Sequence, residues 1–148
     1  MAPWRQLSAE KLNKGEERTE QGVVIHVFLS PYDVPEGVRG EYDEKSKVFR
    51  IEFKYLTDEE STEISEEGKS ISLVVGRNSK RLLGISVDVH SLKADSIQLK
   101  LEVLQLVEKA IAELEDTGKP KQRKANYRLA RRVIDEHRDE LLAPLGAT

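Results

Sequence analysis

The chain contains no cysteine, a single methionine and a single tryptophan, and aromatic residues make up only 5% of its 148 positions. Without cysteine, disulfide frameworks, thiolate metal sites and cysteine nucleophiles are excluded together. The opening stretch "MAPWRQLSAEKLNKGEE" holds no apolar segment of the kind a signal peptide needs. No later stretch offers the run of about 20 apolar residues required by a membrane span. The expectation is a soluble, unexported, cytoplasmic protein with no membrane partner.

What is present fits one folded domain over residues 1–148, since 38% hydrophobic content in a chain of this length can build a core without staples or metals. The net charge of -3 conceals a strong asymmetry. Asp58 to Glu67 carries only acids, and Lys119 to Arg132 carries only bases.

The hydrophobic period changes near residue 91, from strand-like to helix-like. In an N-terminal segment over 1–21, Ser8 is placed to cap a short helix ending at Gly15, with Trp4 as a packing anchor. A sheet is expected over 22–91. Val23 to Leu29 is nearly continuous and β-branched around His26, which predicts a central or doubly covered strand. Val38 to Tyr42 and Val48 to Leu56 flank the polar turn "DEKSK". In the second of these, Phe49, Ile51, Phe53 and Tyr55 alternate with Val48, Arg50, Glu52 and Lys54, giving one dry and one wet face. The acidic "TDEESTEISEEGKS" reads as a solvated loop, after which Ile71 to Val75 pairs with Leu82 to Val89 across "GRNSK".

A helical hairpin is expected over 95–143. Asp95 with Gln98 has capping-box spacing, and the first helix runs to Asp116 with Gly118 as its stop. The second starts at Pro120 and continues to about Leu142, with Tyr127, Ala130, Ile134, His137 and Leu141 on one apolar stripe. The fold class is therefore α+β: an antiparallel sheet of about five strands followed by an antiparallel helical hairpin.

The sequence Tyr42-Asp43, a polar gap, then Val48-Phe49-Arg50-Ile51, with Arg81-Leu82-Leu83-Gly84-Ile85-Ser86-Val87 further on, resembles a family of small uncharacterised bacterial proteins. The likeness covers about a third of the chain. It implies a small antiparallel sheet and brings no established reaction or cofactor. The longer N-terminal part, the acidic loop and the helical tail depart from that family.

Three patterns mimic catalytic or binding motifs. Ser86, Asp88 and His90 share a strand face, but same-face neighbours stand about 6.6 to 7 Å apart, too far for a nucleophile to meet its base. Leu83, Ile85, Val87 and Val89 are then the core face, leaving Asp88, His90 and His26 as a weak metal-pair candidate. "EEGKS" ends like a phosphate-binding loop but has Glu63 where the first glycine belongs. The acids of Asp58 to Glu67 lack the calcium-loop arrangement. His26 and His137 read as core histidines. No catalytic residue, metal site or cofactor is assigned, and the sequence points away from an enzyme.

Two non-enzymatic readings remain. The first helix is apolar over well over half its circumference, more than a helix lying on a sheet needs. A second subunit or another protein could cover it, with Leu99, Val103, Leu106 and Ala110 as interface residues, and a homodimer is the simplest arrangement. The N-terminal segment with Trp4 and Leu7 is the competing cover. The alternative is a nucleic-acid-binding regulator in which Lys121, Arg123, Lys124, Tyr127 and Arg128 at the start of the last helix meet phosphates. Against it stand Glu113, Glu115 and Asp116 at the end of the first helix, and Asp135 and Glu136 four residues beyond Arg131 and Arg132.

Overall fold

The computed structural model describes residues 4–8, 16–27, 30–65, 69–92, 96–117 and 121–146. Its centre is a six-stranded antiparallel sheet in the order β1-β4-β5-β8-β7-β6. These strands are β1 (Arg5–Gln6), β4 (Gly37–Asp43), β5 (Val48–Lys54), β6 (Ser61–Ser65), β7 (Ile71–Gly76) and β8 (Leu82–Asp88). Strands β2 (Glu16–Glu20) and β3 (Val23–Val27) form a separate two-stranded sheet. Among the described residues three α-helices follow, α1 (Ser96–Thr117), α2 (Lys121–Glu136) and α3 (Arg138–Leu142), and after them comes a 3-10 turn at Ala143–Gly146. No helix among the described residues is long and apolar enough to cross a membrane.

The alternation in β5 drives the packing. Phe49, Ile51, Phe53 and Tyr55 are buried against the helices, while Arg50 and Lys54 are exposed on the opposite face. Cross-strand register extends this inner layer: Gly40 faces Ile51, Ile51 faces Ile85, and Ile85 faces Leu73. Val103, Val107 and Ile111 of α1 and Ala130, Val133 and Ile134 of α2 fill the other side of the core. Burial of about 1.5–3 kcal/mol per large apolar side chain is the main favourable term.

Gly40 is required by this packing. A Cβ there would fall on the carbonyl oxygen of Leu141 and within 3.0 Å of its carbonyl carbon, both backbone atoms of α3. Gly40→Ala is therefore expected to cost about 1–3 kcal/mol by overpacking. Urea unfolding reads this directly, and an unchanged midpoint would mean that α3 shifts freely.

The fold class matches the expectation, with differences in detail. Val23 to Val27 is not a central strand: β3 pairs with the charged β2 through a two-residue turn at Gln21 and Gly22 (φ 53° and 78°), the geometry of a tight hairpin. The acidic tract is not wholly loop, because Ser61–Ser65 is edge strand β6. A bulge pairs Val74 with Gly84 but Val75 with Leu82. Leu82 thereby enters the core in place of Leu83, which reaches the open face. The last helix breaks at His137 (φ -113°, ψ 16°), which is half-buried with Nδ1 3.4 Å from Glu140 Oε2, so it is not a core histidine. The short helix expected over 8–15 and the cap at Asp95 lie outside the described residues, apart from Ser8 itself.

Trp4 does not cover α1. Its ring lies under the Arg39 guanidinium, 4.1 Å from the centroid, and lines a groove on the open face of the sheet. Part of the wide apolar surface of α1 is covered instead by α2, by the turn at Ala143–Gly146 and by β7, while Leu101 stays exposed and Leu106, Ala110 and Leu114 are only partly buried.

Candidate functional site

At the β6 end, the sheet extends past its helical cover. Strand β6 pairs with β7 on one side and ends the sheet on the other. Register places Thr62 opposite Val75 and Ile64 opposite Leu73, so these two point toward the helical layer, while Ser61, Glu63 and Ser65 point to the open face. All five are exposed, Ile64 at 45%. Between this edge and α1 runs a groove of about 500 Å³. Ile64 and Leu73 line its strand side, and Leu106, Ala110 and Leu114 line its helix side. Lys69, Lys109 and Glu113 supply its charges, with Lys69 Nζ 3.9 Å from Glu113 Oε2.

Of the four residues expected at an interface, Leu106 and Ala110 meet in this groove. Leu99 is half-buried against the core, away from it. Val103 is a correction: it is fully buried within the chain's own core and can face no partner. On the helical wheel Val103 stands only about 20° from Ala110, seven residues on, so the wheel cannot separate them; the two differ in position along α1, one in the core and one at the groove.

The start of β6 is fixed by a buried polar network. Arg81, 5% exposed, donates from Nε to Glu59 Oε2 (2.9 Å) and from Nη2 to the same oxygen. It also donates to the carbonyls of Tyr32 and Thr57 and lies 4.6 Å from the centre of the Tyr55 ring. Ser79 Oγ donates to Glu59, and Arg77 reaches Glu60 at 2.8 Å. Partial burial pushes the Glu59 carboxyl up, but the hydrogen bonds from Ser79 and Arg81 outweigh it and hold the group below its ordinary value. Burial drives the Tyr55 phenol well above its ordinary value, so it stays protonated and donates to Leu82 O (2.7 Å). Gly76 leaves room for this network, since a Cβ there would overlap the Glu59 carboxylate.

The basic helix start is attached to the same network. Asn126, 1% exposed, accepts from Leu82 N (3.0 Å) and donates to Asp33 O (2.7 Å) and Tyr55 Oη (3.1 Å). Tyr127 is a second correction: it is 3% exposed and its hydroxyl donates to Lys80 O (2.7 Å), so its ring is closed to a nucleic-acid base. It belongs to the apolar stripe that it shares with Ala130 and Ile134. Lys124 is half-buried and Arg128 is exposed, 3.9 Å from Glu115, while the side chains of Lys121 and Arg123 lie outside the described set. Arg131 meets Glu115 at 2.9 Å and Arg132 meets Glu136 at 3.0 Å.

Ser86, Asp88 and His90 form no triad. Asp88 Oδ1 accepts from the backbone N of His90 (3.0 Å) and caps a 3-10 turn over Val89–Ser91, so the chain leaves the strand before His90. The His26 side chain lies outside the described residues. Among the described residues, no three His, Asp or Glu side chains converge as a metal ion would require.

Sequence reasoning missed the edge and the network. Alternation of Thr62 and Ile64 about Glu63 was the available signal for β6, and Asn126 beside Tyr127 on an apolar stripe was the signal for the network. Comparison with protein-family models, curated proteins and solved structures finds no match.

Proposed function

We propose that this protein is an interaction module that works by receiving a protein partner in the groove between α1 and the β6 edge. The observation that carries the reading is the uncovered Ile64, standing over an apolar groove whose far wall is Leu106 and Ala110. Apolar walls rimmed by charge are the usual character of a docking site. Exposed groups of this kind act by contact, and nothing in the reading requires a reaction or a cofactor.

The alternative of a nucleic-acid surface draws less support. Glu115, Asp135 and Glu136 stand among Arg128, Arg131 and Arg132, which lowers the field a phosphate backbone would feel, and Tyr127 offers no stacking face.

A photoreactive amino acid at Lys109, which is exposed and lines the groove, is expected to give a discrete covalent adduct in cells. The same group at exposed Glu136 should give none, and adding Leu106→Lys should abolish the Lys109 adduct. An adduct of twice the chain mass would identify a second copy as the partner. Equal labelling from Lys109 and Glu136 would sink the docking reading.

A further inference from the structure

We infer that the partner enters as an extended segment that adds a seventh strand to β6, with apolar and basic residues in alternation. This rests on the docking reading and names the chemistry of its occupant. Arg77 N donates to Glu60 O (2.8 Å), and antiparallel pairs alternate between bonded and unbonded. Glu60, Thr62 and Ile64 therefore turn their backbone groups to β7, whereas Ser61, Glu63 and Ser65 turn theirs outward. Those outward groups are the template for an added strand.

Side-chain chemistry follows from the pleat. A residue set beside Thr62 or Ile64 projects over the groove, where the walls are apolar. A residue opposite Glu63 projects to the open face, where Glu63 is exposed and pairs with no cation among the described residues. Asp58 and Glu60 are exposed on the approach to β6, and Glu66 and Glu67 follow it in sequence. A cation opposite Glu63 is favoured, and an acid there is disfavoured.

The same acids argue against a second copy. Antiparallel pairing of Ser61–Ser65 with itself across a twofold axis would set Glu63 opposite Glu63. Charge on a short edge strand ordinarily guards against such self-pairing. It would not explain the apolar groove beside it, which a basic, alternating partner uses.

The test titrates the full chain with a synthetic heptapeptide that alternates lysine and valine, followed by amide NMR. A control peptide carries the same residues in two blocks. The alternating peptide is expected to shift the amides of 61–65 and to slow exchange at Ser61, Glu63 and Ser65, with the block peptide weaker. Glu63→Pro removes the central outward N–H and should weaken binding by about tenfold or more. Glu63→Lys keeps the strand and should move the preference to a glutamate–valine peptide. No binding, or equal binding of both peptides regardless of Glu63, would overturn strand addition. If groove crosslinking at Lys109 persists in that case, docking stands without it, whereas loss of groove crosslinking removes both.

Discussion

Glu59→Ala is expected to destabilise the protein by about 3–5 kcal/mol, the range for removing one partner of a buried ion pair. Arg81 would keep its place at 5% exposure with only dipolar neighbours: the Tyr32 and Thr57 carbonyls, Ser79 Oγ and the Tyr55 ring. Carbonyls orient a guanidinium but do not neutralise it. A double variant, Glu59→Leu with Arg81→Met, should recover much of the loss, because desolvation then falls on neither charge. The pH dependence has a definite sign. The Glu59 carboxyl is held below its ordinary value in the folded state, so its contribution is complete above the unfolded carboxyl's pKa of about 4.3 and is lost as pH falls through the folded value. Urea midpoints of the wild type and Glu59→Ala should therefore converge in acid and separate toward neutral pH. A loss below about 1 kcal/mol at pH 7 would reduce the pair to an ordinary surface ion pair.

This pair matters for docking because Glu59 lies two residues before β6. Together with Arg77 and Glu60, it fixes where the edge strand begins. Loosening that anchor should cost the groove its strand-side wall before it costs the core its packing.

The parts of the fold that were legible in the sequence are those where one face is buried. Phe49, Ile51, Phe53 and Tyr55 write a period of two, and the stripe of Tyr127, Ala130 and Ile134 writes a period near 3.6. Strand β6 carries almost no such signal, because all five of its side chains are exposed and little apolar patterning is needed. Val23 to Val27 misled in the opposite direction: apolar, β-branched composition raises strand propensity but does not say which strands will be neighbours. The bulge at Leu83 shifts a clean alternation by one residue, and backbone geometry of this kind leaves no mark in a period count. The interface set on α1 was half resolved for a similar reason. Val103 and Ala110 are a heptad apart and lie on nearly the same face of α1, so they differ in where along the helix the chain's own packing covers it, which a period count does not carry.

Asn126→Leu is expected to cost about 2–5 kcal/mol, on the basis of about 1–3 kcal/mol for each buried polar group left without its partner. Leu82 N loses its acceptor and Asp33 O loses its donor, while Tyr55 Oη keeps Leu82 O. Asn126→Asp separates these terms, since its carboxylate can still accept from Leu82 N but meets the Asp33 carbonyl with like polarity. Burial and that carbonyl push the introduced carboxyl up, so the variant should approach the wild type in acid, where the protonated group can donate to Asp33 O, and weaken as pH rises. That slope is opposite to the one expected from Glu59, and urea midpoints across the acid range would show both. A flat profile for Asn126→Asp would mean that water reaches the site. The result also governs how the basic helix is tested. Asn126 and Tyr127 hold α2 to the strands, so substitutions there would abolish any binding by unfolding. Charge reversal at Lys124 and Arg128, which are less buried, is the comparison that separates phosphate binding from loss of fold.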